Sequence, residues 1–363
     1  MPRRLITHPP GAWPVSMGTS VTRIRIAVDA VGGDYGSQNI VAGALSAARH
    51  LGFGLTLVGP GSLIDDELRR FDKRDLDAVD IHVVEASDVI TMNEGPGALR
   101  RKPHASVKVA AEVVAEGEAA AFFSAGNTGA TLMAAHAAFG MIPGVDRPAL
   151  ATTIPTRHRD AVILDVGATV DCRAHHLVQF ATMGTMYARK VLGIDAPRVG
   201  LLSTGEESTK GNDLTRDTHR RLCNSELSFI GNLEARQLYS GVADVVVCDG
   251  FTGNIALKVS EGLVEVVEEL LRDELSRTFT TQLGYLLSRR AFRRFRRRVD
   301  YSEYGGAPLL GVDGLAVVGH GRSSVKAVRN ALALTHRFVC DGFVTTIAEG
   351  MSELGLERRQ QVR

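Results

Sequence analysis

Lys210 and Asn254 are the side chains best placed to handle an anion, because each lies in a glycine-bearing polar loop directly after a short apolar run. Lys210 belongs to Thr204-Gly205-Glu206-Glu207-Ser208-Thr209-Lys210-Gly211-Asn212, which follows Val199–Leu202. Asn254 closes Asp249-Gly250-Phe251-Thr252-Gly253-Asn254, which follows Val242–Cys248. Three more loops repeat the pattern: Asp29-Ala30-Val31-Gly32-Gly33-Asp34, Ser124-Ala125-Gly126-Asn127-Thr128-Gly129-Ala130, and Asp165-Val166-Gly167-Ala168-Thr169-Val170-Asp171-Cys172. In open α/β sheets, ligands bind in the crevice beyond the carboxyl ends of the strands. Glycine there lets backbone approach a ligand closely, and amides exposed where a helix begins favour an anion.

The candidate ligand contacts are therefore Gly32, Gly33, Asp34, Asn127, Thr128, Gly129, Asp171, Asn212 and Asp249, with Lys210, Asn254 and His320 as candidate catalytic groups. A compact ammonium such as that of Lys210 meets phosphate as a point charge; its alternative is an exposed pair with Glu206 or Glu207. Asn127 and Asn254 are able to donate to phosphate or to a polarised carbonyl oxygen, or to cap helices. Asp34, Asp171 and Asp249 do not attract an anion and are expected to fix lysine, arginine or backbone groups. His320, in Gly319-His320-Gly321, is a candidate to protonate a leaving group, with a structural role as its alternative. His175 and His176 read as a helix start. Cys172 and Cys248 stand at strand ends, where an acyl-cysteine route is chemically open but small buried thiols are the simpler reading.

The elements that must position these loops alternate. Apolar runs near residues 24–28, 55–58, 81–84, 120–123, 161–164, 199–202, 242–248 and 315–318 read as strands. Helical spacing covers about 37–50, 98–116 with an interruption near Pro103, 127–139, 175–192, 213–223, 255–275 and 323–338. Strand–loop–helix repetition implies a largely parallel sheet covered on both faces. Residues 1–22, with Pro2, Pro9, Pro10 and Pro14, read as a disordered tail in which Met17 offers a second possible start; 23–345 read as a single α/β domain, and 346–363 as a polar tail. Hydrophobic content of 44%, charged content of 23% and a net charge of +1 are ordinary for a globular protein and give no bulk attraction to nucleic acid. The four cysteines form no CxxC pair, which argues against zinc or a disulfide framework and for a reducing cytoplasm. No apolar run approaches the ~20 residues that span a bilayer.

Known nucleotide motifs do not fit. GxxxxGK[ST] is absent, the first loop is not GxGxxG, and the second strand ends in Val58-Gly59-Pro60-Gly61 without an acid for a ribose. The five loops instead resemble, in unbroken order from about Arg23 to Leu334, those of the bacterial phosphate acyltransferases of phospholipid synthesis, the PlsX family. Arg147-Pro148-Ala149, His176–Phe180, Phe229-Ile230-Gly231-Asn232 and Tyr304–Gly311 carry the resemblance further. Val31, Thr169 and Ser203-Thr204 depart from the family pattern, so no site role is carried over to Val31, Thr169 or Thr204. The resemblance implies a three-layer α/β/α fold with one large mixed, mostly parallel sheet, similar to the isocitrate/isopropylmalate dehydrogenase group and to phosphotransacetylases. It also implies a homodimer and transfer of a fatty acyl group from acyl carrier protein to inorganic phosphate, with no cofactor and no metal. Holding phosphate against the thioester removes about 7–11 kcal/mol of barrier by positioning, and one donor aimed at the developing oxyanion adds about 2.7–4 kcal/mol, so glycine amides, one amide side chain and one cation suffice.

One segment stands outside this scheme. Seven arginines lie between Arg289 and Arg298, while Leu283, Leu287, Ala291, Phe295 and Val299 recur every four residues with Leu286 and Phe292 beside them. On a helix these make an apolar stripe flanked by Arg293, Arg296 and Arg297, suited to an anionic membrane surface or to the acidic carrier protein. The resemblance implies peripheral attachment to the inner face of the membrane, near the membrane acyltransferase that takes the acyl phosphate. Three other readings stay open at this point: a coenzyme A-dependent phosphotransacetylase, an NAD-dependent hydroxyacid dehydrogenase, and a non-catalytic module binding anionic membrane or nucleic acid.

Overall fold

Alternation decides the central strands. In β1 (Arg25–Asp29), Ile26 and Val28 enter one apolar layer and Ala27 the other, the period of two expected of a strand buried on both faces. The computed structural model describes residues 24–95, 97–299 and 305–361; the tail expected over residues 1–22 lies outside them. After β1 the order is α1 (Ser37–Leu51), β2 (Gly54–Gly59), α2 (Gly61–Leu68), α3 (Lys73–Asp77), β3 (Ile81–Glu85), α4 (Ala98–Arg101), α5 (Ser106–Ala115), β4 (Ala121–Ser124), α6 (Thr128–Phe139), β5 (Ala149–Ile154) and β6 (Ala161–Leu164). Then follow α7 (Ala174–Leu192), β7 (Val199–Ser203), α8 (Asp213–Cys223), β8 (Phe229–Glu234), β9 (Val245–Val247), α9 (Gly250–Ser276), α10 (Phe279–Val299), β10 (Ala307–Leu310), β11 (Ala316–Val318), α11 (Val325–Cys340) and α12 (Phe343–Gln361).

The strands form one sheet in the order β3-β2-β1-β4-β11-β10-β5-β6-β9-β7-β8. The first five run parallel to one another, and so do the last four. Between them β10 is antiparallel to both β11 and β5, and β5 is antiparallel to β6. Three successive reversals leave the two parallel halves pointing in opposite directions. Register then sets their offset. Val318, the last residue of β11, pairs with Ala307, the first of β10. Leu310, the last of β10, pairs with Ala149, the first of β5, and Ala151 pairs with Leu164, the last of β6. The carboxyl ends of both halves therefore close on the same middle zone of the sheet, and their loops share one crevice. The strand periodicity gave a parallel sheet; β5 and β10 are what make it mixed, as the family resemblance implied.

Helices α1, α7, α11 and α12 cover one face, with Ile40, Phe180, Leu332 and Ile347 in its core. Helices α5 and α6 cover the other, with Val107, Val114 and Ala134. The segment read as a polar tail from residue 346 continues instead as α12, whose Phe343, Ile347 and Met351 are buried at helical spacing. Burial worth about 1.5–3 kcal/mol per such side chain outweighs the polar residues between them. Among the described residues no helix is long and apolar enough to cross a membrane.

The start of α9 is pressed onto the loop after β6. A Cβ on Gly253 would stand 1.9 Å from the Asp165 carbonyl oxygen, whereas one on Gly262, farther along the same helix, would meet nothing within 4 Å. Gly253→Ala is therefore expected to destabilise the protein by well over about 1 kcal/mol, and Gly262→Ala to stabilise it by about 0.4–1 kcal/mol. Thermal unfolding of the two variants checks this; equal behaviour would remove the close approach of α9 from the account.

Candidate active site

Two buried aspartates anchor the crevice from opposite sides. Asp29, at the end of β1, is 2% exposed; its Oδ2 accepts the Ser124 hydroxyl at 2.7 Å, and its Oδ1 has no partner within hydrogen-bond distance. Burial pushes its carboxyl up, only partly offset by Ser124, Ser106 and the nearby amides of Val31 and Gly32. The same Ser124 hydroxyl accepts the Gly126 amide at 3.1 Å, so one carboxyl ties the first glycine loop to the second. Asp165, at the end of β6, is fully buried and gathers its own loop. Its Oδ1 accepts the amides of Leu150, Gly167 and Ala168, and its Oδ2 that of Thr169, at 2.6–3.0 Å. Burial still raises it to about 6 against those bonds. Thr169 is itself structural, since its hydroxyl donates to the Pro148 carbonyl at 2.8 Å.

Three helices begin at the crevice, and three of the candidate ligand contacts are their caps. Asn127 Oδ1 accepts the Ala130 amide, Asn212 Oδ1 the Thr215 amide, and Asp249 Oδ1 the Thr252 amide. Asn127 also donates through Nδ2 to the carbonyls of Thr91, Met92 and Glu94. Its side chain is fully engaged, which corrects its expected part as a donor to ligand; Asn212 and Asp249 likewise hold backbone rather than an anion. The caps leave other donors open: the amides of Thr128, Gly129 and Phe251 have no acceptor among the described residues. These are the open amides that the loops supply; the Gly32 amide turns inward to Asp29, and Gly33 packs on the carbonyl oxygens of Ala125 and Gly321, which corrects their expected part as ligand contacts.

Lys210 sits in a loop held at both ends. Its amide donates to the Glu207 carbonyl at 3.0 Å, and buried Asn232 donates through Nδ2 to the same carbonyl at 2.9 Å. Asn232 lies in the stretch Phe229–Asn232 singled out in the sequence. Gly211 follows with φ +91°, and a Cβ there would stand 2.0 Å from Thr215 Oγ1, so no other residue fits. The Lys210 ammonium is exposed and pairs with no carboxylate among the described residues; Glu206 pairs instead with Arg236 at 3.5 Å. Asn254 is exposed one turn into α9, beside the Gly167 backbone, and is not a cap. Asp171 is exposed at the crevice rim, and Asp34 faces Arg322 at 4.0 Å.

His320 differs from its expected role. Its Nδ1 accepts the Arg322 amide at 3.2 Å and its Nε2 lies 3.0 Å from Lys258 Nζ. Both ring nitrogens face protein, so the geometry makes it a support and not a direct proton donor to a leaving group. Lys258 and Glu261 of α9 stand beside it, residues that sequence reasoning passed over. The cysteines are poor nucleophiles: burial and then the Asp165 charge push Cys172 up to about 12, and burial pushes Cys248 well above its ordinary range. At the foot of α7, one ligand atom each of Asp146, His175 and His176 lies within 4.8 Å of the others. His176 Nδ1 accepts the Arg173 amide, and burial, followed by the neighbouring His175, holds its imidazole below the ordinary value.

The arginine segment is α10, paired with α9. Leu286 and Phe295 are exposed, Phe292 is half-buried against Tyr285 with ring centres 5.3 Å apart, and Arg293 is exposed. Arg296 meets Glu268 of α9 at 3.3 Å, and Arg298 donates to the Thr156 carbonyl at 2.7 Å. The Arg297 side chain lies outside the described residues.

Comparison with known proteins gives consistent results. Residues 24–346 match the family described as "Fatty acid synthesis protein". The chain is similar to a phosphate acyltransferase of Geotalea uraniireducens, 47% identical over 331 residues and covering 91% of this chain and 95% of the relative. It is similar to those of Geobacter sulfurreducens (47% over 329 residues, 90% and 94% covered) and Syntrophotalea carbinolica (45% over 336 residues, 92% and 95% covered). Among solved structures, a phosphotransacetylase from Streptococcus pyogenes aligns with a TM-score of 0.59 at 15% identity, covering 88% of this chain and 95% of that one. A branched-chain phosphotransacylase from Enterococcus faecalis V583 aligns with a TM-score of 0.53 at 16% identity, covering 87% and 99%. At those identities the likeness is one of fold, the three-layer α/β/α arrangement.

The raised aspartate gives a pH signature. A carboxyl whose folded pKa lies above its unfolded value favours the fold when protonated, and that contribution is lost as pH rises from the unfolded value through the folded one. Asp29→Asn removes the titration while keeping an acceptor for Ser124. The stability of the native protein is therefore expected to fall relative to Asp29→Asn as pH climbs above the ordinary carboxylate value of about 4. Denaturant unfolding across that range measures the gap; a gap independent of pH would mean that Asp29 is not raised.

Proposed function

We propose the working of this site from one premise: the chain belongs to the phosphate acyltransferase family, among the fatty acid synthesis proteins, and transfers an acyl group to phosphate. The donor is a fatty acyl thioester of acyl carrier protein, the acceptor is inorganic phosphate, and the product acyl phosphate feeds phospholipid synthesis. The observation that carries the reading is the Lys210 ammonium, which has no carboxylate partner among the described residues, in the crevice onto which α6 and α9 open amides that likewise have no acceptor among them.

Phosphate binds between the Lys210 ammonium and the amides of Thr128, Gly129 and Phe251. A phosphate oxygen attacks the thioester carbonyl carbon. The C–O bond forms, the carbonyl oxygen takes the negative charge beside Asn254, and the C–S bond then breaks. The proton carried in by hydrogen phosphate ends on the sulfur of the departing carrier-protein thiol, which balances the reaction without a further reagent. Asn254 is the side-chain donor to the oxyanion, a contribution of about 2.7–4 kcal/mol. Attack is direct, because neither Cys172 nor Cys248 supplies a thiolate at neutral pH.

The helical pair α9–α10 serves assembly and location. Val259, Leu263 and Leu270 of α9, each more than 60% exposed, continue Ile255 and Val266 as an apolar stripe. Contiguous apolar surface of this kind marks an interaction site, and a second copy of the chain is its partner in a homodimer. The α10 arginines, with Leu286 and Phe295 beside them, meet anionic lipid at the cytoplasmic face of the membrane. This places acyl phosphate beside the membrane acyltransferase that consumes it. No nucleic acid is bound.

Purified protein given acyl carrier protein thioester is expected to form acyl phosphate only when inorganic phosphate is present, and to do so equally in chelator. Lys210→Ala should lower use of phosphate about tenfold or more while leaving the unfolding midpoint near that of the native protein. Acyl phosphate at native rates from Lys210→Ala would assign that lysine to the surface. Phe295→Glu places a charge in the α10 stripe and is expected to weaken co-sedimentation with anionic vesicles while activity on the soluble substrate survives. Unchanged sedimentation with lost activity would move α10 to the carrier-protein contact.

A further inference from the structure

Helix α9 crosses the crevice from one half of the sheet to the other. It starts at the end of β9, passes Asn254 beside Gly167, and one turn later brings Lys258 to His320, which follows β11 in the opposite half. Residues four apart on a helix share a face, so Lys258 stands on the Asn254 side. Lys258 Nζ donates to Glu261 Oε2 at 2.7 Å and lies 3.0 Å from His320 Nε2. The His320 ring is fixed from behind, because its Nδ1 accepts the Arg322 amide at 3.2 Å.

An exposed lysine–glutamate pair three apart on a helix is ordinarily worth little. This one differs in three ways. Glu261 has a side chain only 16% exposed, His320 comes from the other half-sheet and turns to the same carboxylate, and the Lys258 side chain, although held by Glu261, is itself 51% exposed. Burial would push the Glu261 carboxyl up, yet its bonds to His320 and Lys258 hold it below the ordinary value, so it stays charged and keeps its grip. An ammonium has three donors; one is directed to Glu261, and because His320 Nδ1 accepts the Arg322 amide, its Nε2 carries the ring proton toward Glu261 and braces that carboxylate, leaving the remaining ammonium donors without an acceptor among the described residues. The other charged groups around the cluster are Asp34 and Arg322, with Tyr239 beyond Glu261.

We propose that Lys258 is a second phosphate-binding cation of the acyl transfer site, aimed by Glu261 and His320 as positioning residues. It rests on the reading of the crevice as the phosphate site. Lys210 approaches the anion from the loop after β7, and Lys258 from the point where α9 meets His320 of the opposite half-sheet. Phosphate then bridges the two halves, and the lysine–histidine contact forms only where both halves are in their native offset.

The experiment uses inorganic phosphate as the probe, by titration calorimetry and by steady-state kinetics, on the full chain and on Lys210→Ala, Lys258→Ala and Lys258→Met. Lys258→Met keeps the aliphatic stem, so it carries the measurement if the alanine variant fails to fold. The expected result is phosphate affinity weakened about tenfold or more in each folded Lys258 variant, the loss of one charge-assisted hydrogen bond. The KM for phosphate rises in step, and the KM for the acyl carrier protein thioester stays as in the native protein. Native phosphate affinity in the Lys258 variants, with weakened affinity in Lys210→Ala, would overturn the inference and leave the crevice reading standing. Native affinity in all the variants would overturn both.

Discussion

The antiparallel pair β10–β5 is the constraint on which the site depends. Without the three reversals between β11 and β6, the carboxyl ends of all the parallel strands would lie on one edge, as in an ordinary doubly wound sheet. With them, two half-sheets aim their loops at each other across a short central zone. Within the second half the packing is close. Gly253 lets α9 rest on the Asp165 carbonyl, and Gly211 turns the Lys210 loop against Thr215. Side chains are forbidden at these two contact points, where loops of one half-sheet press on one another.

Electrostatics explains how a crevice edged by aspartates receives phosphate. Asp29 and Asp165 are buried behind the loops, where burial favours their neutral forms and where they organise backbone rather than face ligand. Asp249, Asn127 and Asn212 direct their oxygens to their own helices. What remains pointed at the crevice is amide N–H and ammonium. A site of this kind works by fixed dipoles and position, which suits a reaction whose nucleophile and electrophile are both supplied by substrates.

Much of this was legible from residue order alone. Helix α8 spans Asp213–Cys223 as its spacing indicates, α6 ends at Phe139 as read, and Asn127 stands at its cap. The family was legible through the loop motifs, and the relatives bear it out. Other features were not. Spacing carries no strand direction, so the short runs Ala149–Ile154 and Ala307–Leu310 gave no sign of turning the sheet over. An asparagine at a strand–helix junction has the same sequence signature whether it caps or contacts a ligand; only the Asn127 and Asn254 partners separate the two. Phe343, Ile347 and Met351 have helical spacing, but the polar residues between them masked it. Lys258 looked like one charge on an amphipathic helix because its partner His320 is 62 residues away.

The central claim is that loops from both half-sheets hold one phosphate. Hydrogen–deuterium exchange of the full chain with and without inorganic phosphate tests it most directly. Protection is predicted at residues 126–130 on one side of the crevice and at residues 210–212 and 250–254 on the other, appearing together over the same range of phosphate concentration. Protection confined to one half-sheet, or lying away from these loops, would contradict the account.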